Sequence, residues 1–173
     1  MISRHLIDNF IQLFKEKKYQ ELIVKSKKLT SIEDRPSGLS NLIGLSKVLL
    51  KSTSKENIFS SIDDFRDAYQ KAKKEIFGVE ALCNLITISV QYCKKYPELL
   101  DVLKKTEKIY LEAEKNFENN EKLLISGSDL FKYLLNQKKV TEILEKLIKN
   151  NTSSKIIRCN YAYNNNFSYL WDS

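Results

Sequence analysis

The side chains that could do chemistry are few, and their spacing does not gather them into a reaction centre. His5 is the single histidine, and no pattern sets a Ser or Cys beside it. General-base catalysis needs an orienting network, so an exposed surface histidine is expected. Cys83, Cys93 and Cys159 have neither metal-ligand nor redox spacing. The first two fall in an apolar helical stretch, where a free thiol behaves as a small hydrophobe. An odd cysteine count without pairing logic fits a reducing compartment. Asp63, Asp64 and Asp67 form the one acidic cluster. They are read as lying near the start of the fourth helix, where carboxylates complement the helix dipole, rather than as metal ligands. No Gly-rich phosphate loop and no HExxH pattern occurs. Neither catalysis, nor a cofactor, nor a metal is expected.

The more organised polar signal is amide. Asn9-Phe10-Ile11-Gln12-Leu13-Phe14, Asn41-Leu42-Ile43-Gly44-Leu45-Ser46 and Asn84-Leu85-Ile86-Thr87-Ile88-Ser89 share one pattern, at spacings of 32 and 43 residues. An amide both donates and accepts, so it can pair with a peptide unit without demanding a particular side chain.

The chain that must position these groups has 173 residues, enough for one domain with a real core. Hydrophobic residues at 42% and charged residues at 29% give an ordinary soluble balance. Only 4 Gly and 2 Pro punctuate it, too few for the turns of a sandwich or barrel. No signal-peptide core follows Met1, and no apolar run approaches the roughly 18 residues of a membrane span, so a cytoplasmic protein is expected. The net charge is +7, but of 29 basic residues only Arg4, Arg35, Arg66 and Arg158 are arginine. The lysines are interleaved with Glu, and Arg is the residue suited to bidentate phosphate and guanine contacts. Specific nucleic-acid binding is therefore not expected. Lys, Asn, Ile and Tyr together fit A/T-rich codons.

Apolar spacing predicts helices throughout. Ile7, Phe10, Ile11 and Phe14 mark the first, and Tyr19, Leu22, Ile23, Ser26 and Leu29 the second. After the break at 31–38, a third carries Leu42, Ile43, Leu45, Ser46, Leu49 and Leu50. Ser54 is a candidate N-cap for the fourth. Ile58, Ile62, Phe65, Tyr69, Ala72 and Ile76 repeat their steps 41 residues later as Leu99, Leu103, Thr106, Tyr110, Ala113 and Phe117. Between them a strongly apolar helix, about 79–96, is expected to be buried on more than one face. Asn119 and Asn120 mark a break before a seventh helix with Leu123, Leu124, Leu130, Phe131, Leu134 and Leu135. Val140, Ile143, Leu144, Leu147 and Ile148 make an eighth. Paired helices recurring at 32 to 43 residues are the mark of an α-solenoid.

These residues resemble the tetratricopeptide repeat (TPR) family. Phe14-Lys15-Glu16-Lys17-Lys18-Tyr19 is similar to the short basic turn and Tyr that open a TPR helix B. Asn41-Leu42-Ile43-Gly44 resembles a stretch of helix A, and Ser61, Phe65 and Ala68 the small-aromatic-Ala signature of helix B. Gly44 and Ser61 would be small because the two helices cross closely there. Ser40 and Lys47 stand where the family has Trp and Tyr, and Thr87 and Thr106 replace its Gly and aromatic in the third repeat. The resemblance implies an all-α, right-handed α-solenoid of about four antiparallel helical hairpins over 1–155, with 156–173 as an aromatic tail or capping helix. It also implies a concave groove, lined by the first helix of each hairpin, in which Asn9, Asn41 and Asn84 grip an extended peptide backbone. Lys47, Gln91, Lys132 and Asn136 are further candidates for that face. A basic groove would favour acidic peptides or carboxylate termini. The expected function is a scaffold or adaptor for a protein or peptide partner.

The tail adds Tyr161, Tyr163, Phe167, Tyr169 and Trp171, five aromatics in eleven residues. Exposed, they would form an interaction or self-association surface; folded back, they would cap Leu144 and Leu147. The stretch also resembles the junction, in several bacterial proteins similar to O-linked N-acetylglucosamine transferases, between a TPR front end and a catalytic domain. That resemblance implies the alternative function: the substrate-recruiting front of a larger glycosyltransferase whose catalytic domain is absent from this chain.

Overall fold

The computed structural model describes residues 3–150, and among these all regular structure is helical. Eight helices follow in order: α1 (Arg4–Lys15), α2 (Tyr19–Leu29), α3 (Ser37–Val48), α4 (Lys55–Lys71), α5 (Ile76–Cys93), α6 (Leu99–Asn116), α7 (Glu121–Tyr133) and α8 (Gln137–Lys149). The all-α expectation holds. The helices group into two compact units, divided after Ile88 within α5. Cys159 and the tail aromatics Tyr161, Tyr163, Phe167, Tyr169 and Trp171 lie outside the described residues.

Side-chain caps open α1, α4, α7 and α8. Ser54 Oγ accepts from the Asn57 N–H at 3.2 Å, as the sequence led us to expect, and Asn120 Oδ1 accepts from the Leu123 N–H at 2.9 Å. Such caps satisfy backbone donors that the helix leaves without partners. The repeated apolar steps of the fourth and sixth helices are buried at their first five positions in both, from Ile58 to Ala72 and from Leu99 to Ala113. The sixth position departs. Ala72 N–H bonds the Tyr69 carbonyl, three residues back, and the tightened turn ends α4 at Lys71. Ile76 therefore begins α5 and is 48% exposed.

The apolar helix runs three residues earlier than expected, and both Val79-Leu82-Ile86 and Ala81-Leu85-Ile88 are buried on it. Although polar residues interrupt every apolar run, the 18 residues of α5 have a mean hydropathy of 1.4, long and apolar enough by length and composition to cross a bilayer. Within the protein, 56% of that stretch is buried.

In the first unit, Phe10, Leu13, Leu22, Leu39 and Ile43 form a core shared by α1, α2 and α3. Leu13, not the expected Ile11, faces inward; Ile11 is exposed. The broadest helix pairing is α3 on α4. A Cβ on Gly44 would lie 2.7 Å from the Phe65 ring, so only glycine lets α3 come this close. Ser61, on the same helix as Phe65, is fully buried. The expectation that Gly44 is small because the helices cross closely there is met.

In the second unit, α6, α7 and α8 pack in sequence, with the Tyr110 and Phe131 rings edge to face at 5.5 Å. Gly127 repeats the device of Gly44, since a Cβ there would lie 2.2 Å from the Tyr110 ring. Glu114 of α6 is buried and meets two α8 lysines, Lys146 at 2.9 Å and Lys139 at 3.0 Å. The hydrogen bond from Lys146 to Glu114 holds that lysine's pKa above its ordinary range.

Two hairpins turn in the same way. In α1–α2, the Lys17 N–H bonds the Phe14 carbonyl and the Lys18 N–H the Leu13 carbonyl. In α7–α8, the Leu135 N–H bonds the Lys132 carbonyl and the Asn136 N–H the Phe131 carbonyl. Both are Schellman turns, with Lys17 at φ 59° and Leu135 at φ 57° in the left-handed position where glycine is usual. Leu135, expected on the apolar stripe of the seventh helix, is instead outside it and 82% exposed.

Two stability outcomes follow. Leu135→Gly relieves a left-handed backbone that costs a side chain about 1–2 kcal/mol, less glycine's own entropy. A rise in melting temperature of about 1–4 °C is expected, and a fall would contradict the turn. Gly44→Ala should cost about 1–3 kcal/mol by overpacking against Phe65. Because the clash is with that ring, Phe65→Leu should cost less in the Gly44→Ala background than in the native chain, a non-additivity that denaturant melts can resolve.

Candidate functional site

Two polar constellations stand out in the first unit, on different faces of α3. The first is the amide pair. Asn84 Nδ2 donates to Asn41 Oδ1 at 2.9 Å, which places the residues 43 apart in the repeated pattern directly side by side. Both are half-buried. The bond uses one donor of Asn84 and one acceptor of Asn41; among the described residues the Asn41 amide NH₂ and the Asn84 carbonyl make no other hydrogen bond. Asn9, the third member of the pattern, is exposed on α1.

The second is a cluster of buried charge that the sequence pattern did not signal. Lys47 lies about a third of a turn from Asn41 around α3, so it faces α4 and not α5. Its ammonium is bonded to Asp64 and donates to Ser60 Oγ at 2.6 Å. Arg35, from the connection between α2 and α3, sets Nη1 3.7 Å from the other Asp64 oxygen. Its Nε donates to Thr30 Oγ1 at 2.9 Å and its Nη2 to the Thr30 carbonyl at 3.4 Å. Arg35, Lys47 and Asp64 are 7%, 6% and 7% exposed, so all three side chains are buried. Burial pushes the Asp64 carboxyl above the ordinary carboxylate range, against the pull of Lys47. The cluster borders a cavity of about 240 Å³ between α2, α3 and α4, whose apolar wall includes Ile23, Ile32 and Ile43.

This overturns the dipole reading of the acidic cluster. Because α4 starts at Lys55, Asp63, Asp64 and Asp67 lie in its middle and beyond, away from the first turn. Each carboxylate answers to cations or hydroxyls instead: Asp63 to Arg66 at 2.9 Å, Asp67 to Lys71 at 2.8 Å and Ser40 at 2.6 Å. It also relocates Lys47, expected as a groove residue beside Asn41, into a buried ion pair. The signal that could have found it was present: Lys47 continues the buried face of Ile43 one turn on, where an unpaired lysine would be very costly.

The remaining candidates belong to the second unit or to helix ends. Gln91 is exposed on α5. Lys132 is half-buried, 3.7 Å from Asp129 on its own helix. Asn136 is the N-cap of α8, where its Oδ1 accepts from the Lys139 N–H at 3.1 Å. His5 is exposed, as expected, and Cys83 and Cys93 are buried free thiols. A wider depression of about 750 Å³ beside the α1–α2 turn carries Lys17, Lys18 and Lys51, all exposed, with Lys18 paired to Glu16 at 2.7 Å. Compared with protein-family models, with curated proteins and with solved structures, the chain matches none.

The cluster predicts an asymmetry. Asp64→Asn leaves two buried cations without their shared anion and should cost about 3–5 kcal/mol. Lys47→Met leaves Arg35 and Asp64 as a balanced pair and should cost clearly less. Equal losses in urea melts would show that the charge balance does not matter.

Proposed function

We propose that this chain is a TPR-like helical-repeat scaffold that holds an extended peptide or a partner helix along the face carrying Asn41 and Asn84. The observation that carries the reading is the Asn41–Asn84 hydrogen bond, which joins equivalent positions of the repeated pattern on α3 and α5. Such a pair leaves a donor group on one residue and an acceptor on the other, the complement of a peptide unit. Two further features fit the family. Gly44 against Phe65 corresponds to the close contact of helix A with the aromatic of helix B, and the Lys15–Lys18 turn leads into Tyr19, whose ring lies 5.4 Å from that of Phe14. On this reading the protein acts by binding and needs no catalytic group of its own.

Peptides selected from a random displayed library on the native protein test it, whatever the natural partner is. Asn41→Ala with Asn84→Ala should weaken the selected peptides at least tenfold while the melting temperature falls by no more than a few degrees, the loss of about one exposed-edge hydrogen bond. Peptides that bind the double variant with unchanged affinity would refute the groove.

A further inference from the structure

The buried cluster around Asp64 does not balance. Two cations and one carboxylate, each under a tenth exposed, sit side by side there. A buried charge is tolerated when it is paired and its hydrogen-bonding groups are filled. The Lys47 ammonium is filled by Asp64 and by the hydroxyl and carbonyl of Ser60. The Arg35 guanidinium is not. Of its five N–H donors, one goes to Thr30 Oγ1 and one to the Thr30 carbonyl; its approach to Asp64, at 3.7 Å, is an ion pair too long for a hydrogen bond. Two further carboxylates line the cavity, Asp63 and Asp67, and each is paired outside it, with Arg66 and with Lys71. A buried guanidinium with open donors thus borders a cavity of about 240 Å³.

We propose that this cavity is a binding site for a monocarboxylate on a short aliphatic stem, received by the Arg35 guanidinium. The planar fork of Arg matches a carboxylate in a bidentate fashion. One negative charge balances the cluster, whereas a dianionic phosphate would set a second charge against Asp64. The wall residues Ile23 and Ile43 are buried and apolar and suit a few methylenes of stem, and Lys27 adds a further cation to the lining. The space is below the roughly 300–1,000 Å³ of drug-sized pockets, which fits a small acid or a single glutamate side chain. The site faces away from Asn41 on α3 and does not depend on the peptide groove.

The test uses the full chain, with butyrate, acetyl-glutamate amide, butanol and inorganic phosphate added at constant ionic strength. With four arginines in the sequence, the Arg Nε–H region of a ¹H–¹⁵N spectrum is sparse enough to follow Arg35 directly. Expected is a saturable shift of the Arg35 Nε–H with butyrate, at least tenfold weaker with phosphate and absent with butanol. At ten times the half-saturating concentration, the melting temperature should rise by about 3–6 °C. Arg35→Met, which keeps an apolar stem and removes the surplus charge, should abolish that rise. Tighter binding of acetyl-glutamate amide would assign the site to a peptide-borne carboxylate, and tighter binding of butyrate to a free acid. No saturable shift with either carboxylate, an equal response to phosphate, or a melting-temperature rise retained in Arg35→Met would overturn the proposal. The Asn41 and Asn84 double substitution should leave the butyrate response unchanged, so this site and the groove fail separately.

Discussion

The approach of α3 to α4 at Gly44 sets the spacing on which the first unit depends. With the Phe65 ring seated against a bare Cα, the two helices are close enough for short side chains to cross between them. Ser37 Oγ donates to the Ala68 carbonyl at 2.8 Å, Ser40 reaches Asp67, and Lys47 reaches Ser60 and Asp64. These ties descend the hairpin in antiparallel register, on either side of the Gly44–Phe65 contact. A serine spans such a gap only when the backbones are near, so the hydroxyl ties are consequences of the glycine and not independent features. The same logic appears at Gly127 beneath Tyr110 in the second unit.

Electrostatics then distinguishes the units. Around Glu114 the buried carboxylate draws in Lys139 and Lys146, and Glu142 adds a second carboxylate at the surface, so charge is balanced at the edge of solvent. Glu142 is held below the ordinary carboxylate range by its hydrogen bond from Lys139. Around Asp64 two buried cations meet one buried carboxylate. A structural ion cluster gains nothing from such an excess, since desolvating an extra cation is costly. On the proposal above, the excess beside the cavity is what receives a carboxylate.

How much of this was legible in the sequence follows the range of the interactions. Helix existence, the Ser54 cap, the break at Asn120 and the buried steps of α4 and α6 were readable because each is set within a few residues. Gly44 was readable as a close-contact position from pattern alone. The Lys47–Asp64 and Arg35–Asp64 contacts span 17 and 29 residues, and nothing local links them. Read locally, Asp63, Asp64 and Asp67 became dipole partners of a helix whose first turn they do not occupy. Leu135 failed for another reason. Its apolar type continued the stripe of the seventh helix, but the chain needed a left-handed residue to turn into α8, and turn geometry overrode hydrophobic periodicity there.

The amide pair and the charge cluster ask different things of a ligand, and their placement on separate faces of α3 keeps those demands independent. An amide ladder reads the peptide backbone and is indifferent to sequence, so on its own it gives affinity without much selectivity. A single buried guanidinium, partly satisfied by Thr30 and Asp64, reads charge and excludes a neutral group of similar size, because an unfilled donor in a water-poor site is penalised. On these two proposals, selectivity rests less on the surface lysines that raise the net charge than on the one arginine at the cavity wall.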